Sequence, residues 1–100
     1  MPKLTRVLET ALYVADLESS AAFYSKVLGL PCIFEDQRMR VYDVGGNGVL
    51  LLFPQGQSLS PIETPGGWIP PHDGSGPVHV AFSIPSDELD EWQRHLTDSG

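Results

Sequence analysis

The chain has 100 residues, 41% of them apolar, with ten glycines and nine prolines, which is typical of one small globular domain and not of a disordered chain. Its formal net charge of −7, with only six Lys and Arg residues, argues against nucleic acid as a partner, because too few cations could neutralise phosphates. No apolar run approaches the roughly 18 residues of a membrane span, and the single cysteine suits a reducing compartment, so we expect a cytoplasmic protein that contacts neither nucleic acid nor membrane.

The first predicted element is a strand over residues 7–14. Its side chains alternate, so that one set faces a following helix while Glu9, Ala11 and Tyr13 point to the opposite face. The second set mixes small and polar side chains, which leave room for a ligand.

A helix follows, and its two ends have recognisable signals. Asp16 is the predicted N-cap, because its carboxylate can accept the free amides of the first turn. Gly29 predicts a left-handed stop, with Leu30 closing the hydrophobic contact beyond it. Apolar residues at helical spacing between these ends predict a buried stripe: Leu17, Ala21, Tyr24, Val27 and Leu28.

Three further strands are predicted over residues 32–36, 39–44 and 49–53. The last is a continuous apolar run entered through residues 45–48, whose glycines and asparagine favour a hairpin turn. The first part of the chain therefore has the order β-α-β-β-β.

Residues 54–77 are rich in proline and glycine and show no periodicity. They predict a long loop, and loops of this length in small domains often cover an active site. Trp68 and His72 are its candidate functional side chains, as a lid and as a proton-transfer group.

The end of the chain resembles its beginning. A strand is predicted over residues 78–84, with Ser86 as the N-cap of a helix. The apolar positions of this helix are Leu89, Trp92 and Leu96. Three partner strands are missing from this second unit, so we expect a module truncated at Gly100, as part of a longer protein or as one wall that a second chain completes.

The two copies place a possible metal ligand at the same position of their first strands, Glu9 in one and His79 in the other. Carboxylate oxygen and imidazole nitrogen together suit Zn, Fe, Mn, Co or Ni. Each residue taken alone has a structural alternative, a solvent-facing Glu or a hydrogen-bonded His. A catalytic ion also needs at least three protein ligands, so further ligands must come from elsewhere.

Three segments carry a resemblance to a known family. The first helix contains Asp16-Leu17, then Phe23-Tyr24, then Leu28-Gly29-Leu30. Residues 49–53 look like the family's fourth strand, and residues 76–82, Gly-Pro-Val-His-Val-Ala-Phe, resemble the start of its second module. Over these segments the chain resembles the vicinal oxygen chelate superfamily, which includes glyoxalase I, bleomycin and fosfomycin resistance proteins and extradiol dioxygenases.

The resemblance implies an α+β fold in which paired βαβββ modules form a curved mixed-sheet cup. Module one would be residues 1–53, the linker loop 54–77, and the start of module two 78–100. The metal-dependent members bind a divalent ion in the cup, and His79 falls on the second module's ligand position. Glu9 falls on the first module's position, which is often His or Gln, and the fourth-strand Glu of some members is replaced here by Leu and Phe.

The first functional hypothesis is a divalent-metal-dependent enzyme of glyoxalase or dioxygenase type, acting on a small substrate with vicinal oxygens. Glu9 and His79 would be its metal ligands. Tyr13, Trp68, His72 and Ser83 are the candidates for substrate binding.

Two other functions stay open at this point. A metal-free protein that sequesters a drug or metabolite, like the bleomycin resistance proteins, fits the acidic balance and the missing fourth-strand Glu. A scaffold module with a decayed site is the third. In each case the incomplete second module predicts a homodimer.

Overall fold

The computed structural model describes residues 1–100 and contains a four-stranded sheet, a small separate hairpin and two helices. The strands of the sheet are β1 (Glu9–Val14), β2 (Cys32–Glu35), β3 (Arg40–Asp43) and β4 (Val49–Pro54). The hairpin consists of β5 (Ile62–Thr64) and β6 (Gly67–Ile69). The helices are α1 (Leu17–Ala22), which continues as a π-helical turn over Phe23–Val27, and α2 (Leu89–Asp98), which follows a 3₁₀ turn over Ser86–Glu88.

The sheet confirms the predicted β-α-β-β-β unit and its α+β class. Its strand order is β1-β4-β3-β2, with β1 parallel to β4 and the other two pairs antiparallel. A parallel pair cannot be joined by a tight turn, and here α1, β2 and β3 together form the connection. The two strands that carry the first and last parts of the unit, β1 and β4, are therefore neighbours.

Both predicted ends of the first helix are confirmed. The Asp16 carboxylate accepts a hydrogen bond from the Ser19 amide at 3.2 Å. Gly29 has a φ of +71°, and the Leu30 amide beyond it donates to the Tyr24 carbonyl at 3.0 Å. A left-handed glycine followed by this reverse hydrogen bond satisfies the carbonyls at the end of the helix.

The core lies between α1 and one face of the sheet. Tyr42, Leu50 and Leu52 are fully buried, and the Tyr42 hydroxyl donates to the Ala21 carbonyl of α1 at 3.1 Å. This bond satisfies a buried polar group and fixes the helix over β3. Partly buried apolar side chains complete this core: Leu12, Val14, Leu17, Tyr24, Leu30 and Val44.

The opposite face of β4 is also buried, through Leu51 and Phe53. A strand covered on both sides reads as a continuous apolar run rather than an alternating one, which explains the sequence of residues 49–53. The cover on this second face comes from the segment after β4.

The prediction that residues 54–77 lack regular structure is wrong, because this segment contains β5 and β6. Ile62 pairs with Ile69 and Glu63 with Trp68, and the Thr64 hydroxyl donates to the Gly67 carbonyl at 2.7 Å. Strands of three residues are too short to show a period of two, and the flanking Pro and Gly residues obscure them.

The predicted strand over residues 78–84 is not formed. These residues make no backbone hydrogen bond, and their side chains are exposed. A strand needs a paired neighbour to satisfy its amides and carbonyls, and the sheet of residues 9–54 does not extend to this segment.

The predicted N-cap at Ser86 is also wrong. Ser86 lies inside the 3₁₀ turn that opens on Pro85, and its side chain makes no capping hydrogen bond. The turn is closed instead by the Glu88 amide, which donates to the Pro85 carbonyl at 3.0 Å. Neither helix is long and apolar enough to cross a membrane.

Candidate functional site

A cavity of about 500 Å³ lies on the face of the sheet opposite α1. We call it the cup cavity. Its floor contains Glu9 and Ala11 of β1 and Leu51 and Phe53 of β4, and residues of the β5–β6 hairpin cover it. Glu9 and Ala11 therefore lie on the face of β1 that borders the cavity, opposite the face that packs under α1.

Three rings meet at one end of the cup cavity. The Tyr13 hydroxyl and His72 Nδ1 are 2.7 Å apart, a hydrogen bond whose donor depends on the His72 tautomer. The Tyr13 and Phe53 rings stack with centroids 5.8 Å apart, and the Phe53 and His72 rings meet edge to face at 4.7 Å. Aromatic pairs in these orientations are favourable, so Tyr13 and Phe53 fix the His72 ring beside the cavity.

Two hydrogen bonds to residues 56 and 58 and one close packing contact with Tyr13 hold the segment around His72 in place. The His72 amide donates to the carbonyl of the buried Ser58 at 2.9 Å, and the Asp73 carboxylate accepts from the Gly56 amide at 3.1 Å. A Cβ at Gly74 would lie 2.8 Å from the Tyr13 ring, so this close approach requires glycine. The loop that brings His72 to Tyr13 is therefore anchored at three points.

The environment keeps Tyr13 protonated. Burial raises the pKa of the Tyr13 phenol above its ordinary value of 10.0, and the negative charge of Asp73 raises it further. A protonated Tyr13 can donate to Nδ1 of a neutral His72, which leaves the proton of the imidazole on Nε2. His72 Nε2 makes no hydrogen bond within the chain, so it is free to exchange a proton with a bound molecule.

The two predicted metal ligands occupy different places. Glu9 is exposed to the cup cavity, whereas His79 is exposed outside it. No three His, Cys, Asp or Glu side chains cluster so that they could hold an ion. One copy of the chain therefore does not assemble the three or more ligands that a catalytic metal requires.

Trp68 and Ser83, the remaining candidates for substrate binding, lie away from the cup cavity. Trp68 is 67% exposed, and since Ile69 beside it faces the cup cavity, strand alternation places Trp68 on the outer face of the hairpin. Ser83 borders a different, apolar cavity of about 540 Å³ between α2 and the end of the first helix. The structure thus brings Tyr13 and His72 into contact, and Glu9 lines the cavity that His72 also lines.

Arg38 is a cup residue that the sequence reading did not single out. It precedes β3 in a turn, where the Asp36 carboxylate accepts from the Arg38 and Met39 amides at 2.7 and 2.9 Å. Its side chain lines the cup cavity. Strand alternation predicts which face a side chain occupies only within a strand, and Arg38 lies outside β3. The turn at Asp36 is therefore the one sequence feature that could have indicated the position of Arg38.

Comparisons with known proteins agree with this architecture. The family model described as Glyoxalase/Bleomycin resistance protein/Dioxygenase superfamily matches residues 6–100. The metallothiol transferase FosB of Bacillus licheniformis is 30% identical over 87 residues, which cover 87% of this chain and 49% of that protein. The chain thus spans about half the length of this curated relative.

Two solved structures illustrate the likeness in three dimensions. The lactoylglutathione lyase from Agrobacterium tumefaciens superposes with a TM-score of 0.83 at 30% identity, over 98% of this chain and 72% of that one. The fosfomycin resistance protein FosX from Listeria monocytogenes gives a TM-score of 0.65 at 20% identity, over 98% of this chain and 67% of that one. At the lower identity the likeness concerns the fold alone.

Proposed function

The chain belongs to the glyoxalase/bleomycin resistance protein/dioxygenase superfamily, and on that premise we propose that it is a glyoxalase-type enzyme acting on a small molecule with vicinal oxygens. The observation that carries the proposal is the Tyr13–His72 hydrogen bond of 2.7 Å beside a cavity that also contains Glu9. An imidazole held at one nitrogen and free at the other, on the wall of a cavity that also contains a carboxylate, suits acid–base chemistry on a bound substrate.

Each of the three side chains has a distinct role in this proposal. His72 exchanges a proton with the substrate at Nε2. Tyr13 is a positioning residue, because it acts on the substrate only through the orientation of the His72 ring. Glu9 contacts the substrate's polar groups from the floor of the cavity, and the apolar floor excludes water around them.

A divalent ion, one of Zn, Fe, Mn, Ni or Co, is the further part of the proposal. When bound, such an ion supplies a Lewis acid for vicinal oxygens. Glu9 and His79 are its proposed ligands, and since one copy of the chain holds these two apart and gathers no three donors, the site needs a second copy or a longer form of the chain to complete it.

We also propose a homodimer in the cytoplasm. The unpaired residues 78–84 and the exposed apolar side chains of α2 support association with a second copy. Cys32 is the single cysteine and is free, which suits a reducing compartment.

The enzyme proposal is tested by assaying the purified protein with each of the five ions and without metal. The substrates are lactoylglutathione and fosfomycin with a thiol, chosen from the activities of the similar proteins. We expect turnover of at least one, lowered roughly 10²- to 10⁴-fold by His72→Gln, the usual loss when an acid–base group is removed.

The control is His95→Gln, because His95 lies on α2 and binds the Val27 carbonyl at 2.6 Å, outside the cup cavity. This variant should keep the activity of the unmodified protein. No turnover of either substrate, or equal turnover in His72→Gln, would contradict the enzyme proposal.

A second candidate function, sequestration of a small molecule without metal, is favoured by the separation of Glu9 from His79. It is distinguished by the metal content of the purified protein and by its affinity for bleomycin. A protein that contains no ion and binds bleomycin equally in the original chain, Glu9→Gln and His79→Ala would support sequestration.

A further inference from the structure

Arg38 is a cation without a protein partner on the wall of the cup cavity. Its side chain is half-buried, makes no salt bridge and donates no hydrogen bond to the rest of the chain. Arg40, two residues further on, differs completely: its guanidinium contacts Glu18 at 2.6 Å and Glu35 at 3.3 Å. Arg40 stabilises the fold, whereas the charge of Arg38 remains available to a ligand.

Arg38 is the one strongly basic side chain at the cup cavity. Among the six Lys and Arg residues, Arg38 alone lines the cavity, although the chain as a whole carries a net charge of −7. Glu9 lines the same cavity, but its carboxylate is not within salt-bridge distance of Arg38. The cavity therefore presents one positive and one negative group at separate points.

The rest of the wall determines what else a ligand must contain. Leu51, Phe53 and Ile69 give the cavity an apolar surface between its charged points. A volume of about 500 Å³ lies in the range of small-molecule sites, roughly 300–1,000 Å³. An unpaired guanidinium above apolar side chains attracts an oxyanion more strongly than it would in open solvent, because the local dielectric constant is lower.

We propose that Arg38 is the specificity-determining residue of the cup and binds an oxyanion of the substrate, a carboxylate or a phosphonate. The planar guanidinium can donate two parallel hydrogen bonds to either group. The inference rests on the proposed function in one respect, that the cup cavity is the substrate site. The substrate class it names is a small oxyanion with an apolar body and oxygens that reach Glu9 and His72.

The experiment measures the binding of three matched probes by calorimetry at low salt: benzoate, phenylphosphonate and neutral benzamide. We expect benzoate or phenylphosphonate to bind roughly tenfold to a hundredfold more tightly than benzamide, the usual range for hydrogen bonds to a charged group. The stronger of the two anions identifies the oxyanion.

Arg38→Gln should remove this preference and lower the affinity for the anion by the same factor. Arg94→Gln is the matched control, since Arg94 lies on α2 away from the cup cavity, and it should bind like the original chain. Equal thermal unfolding of the two variants shows that the loss is local, and the comparison of probes needs no variant at all.

Benzamide binding as tightly as both anions, no binding of any probe, or equal losses in the two variants would overturn the inference. The outcome is separable from that of the enzyme proposal. Charge-dependent binding without turnover would remove only the enzyme proposal, and turnover with binding unchanged in Arg38→Gln would remove only the inference.

Discussion

Tyr13 connects the sheet to the segment that covers it. Its ring stacks on Phe53 of β4, its hydroxyl binds His72, and Gly74 packs against its edge. Ionisation of the phenol would place a negative charge in this partly buried position, close to that of Asp73. The folded state therefore holds the neutral form of Tyr13 more strongly than the unfolded chain does.

This preference predicts a loss of stability in alkaline solution. Below pH about 10 the phenol is protonated in both states, so the stabilisation is fully present. As the pH rises above 10, the unfolded chain loses the proton first, and the free energy of unfolding falls until the folded state also ionises. Tyr24 contributes in the same direction, because burial raises its pKa as well.

The measurement is urea unfolding at several pH values on either side of 10. The free energy of unfolding should fall less steeply with pH in Tyr13→Phe than in the original chain, and least steeply in the Tyr13→Phe, Tyr24→Phe double variant. Parallel curves for all three proteins would show that these phenols do not govern the alkaline transition.

Individual residues differ in how far the sequence predicts their position. Strand alternation was sufficient for Glu9 and Ala11, because a period of two sorts side chains onto two faces wherever a strand is paired. His72 and Arg38 lie outside strands, and only the folded path of a loop or turn brings them to the cup cavity. Their positions depend on backbone contacts, such as that of Ser58 with His72, which leave no periodic signal.

At the level of elements, the two helices show why a capping residue in the sequence is not yet a cap. Asp16 and Ser86 occupy matching places in the two similar segments of the sequence, but only Asp16 accepts a hydrogen bond from a backbone amide. At the second position Pro85 starts a 3₁₀ turn, in which the Pro85 carbonyl accepts from the Glu88 amide without help from the side chain of Ser86.

The two positions therefore predict unequal losses on substitution. Asp16→Ala should lower the free energy of unfolding by about 1 kcal/mol, because it removes an N-cap hydrogen bond. Ser86→Ala should change it by less than about 0.5 kcal/mol, as expected for a surface side chain without a partner. Urea unfolding at neutral pH measures both, and equal losses would contradict the difference between the two helix starts.

Whether a predicted strand forms depends both on its own residues and on a neighbouring strand that can pair with it. The strands of residues 9–54 were predicted because their partners lie in the same unit and their residues favour pairing. Residues 78–84 have an equally strong strand pattern, yet they stay unpaired. Alternation in the sequence shows that a segment could form a strand, but a strand also needs a neighbour for its backbone hydrogen bonds.

The whole molecule is larger than a compact chain of its length. Its radius of gyration is 15.6 Å, against about 13 Å expected for a compact domain of 100 residues. Only eight residues are buried, and all of them lie in residues 21–58. The sheet and α1 therefore have a core of their own, whereas α2 and the segment before it contribute exposed apolar surface.

That surface leads to the prediction of a homodimer. Val78 is 70% exposed and Leu89 is 62% exposed, while α2 contains no buried residue. Covering such side chains is worth about 25 cal/mol per Å² of apolar surface, so a second copy that packs on α2 would be stabilised. We expect a dimer by sedimentation at micromolar concentration.

A charge on the apolar face of α2 should separate the two copies. Leu89→Asp introduces one at the first turn, where a negative charge favours the helix itself, so the variant should fold and sediment as a monomer. Arg94→Asp adds the same residue to the opposite side of α2 and should remain a dimer. If the original chain is already a monomer, or if both variants remain dimers, the apolar face of α2 is not the dimer interface.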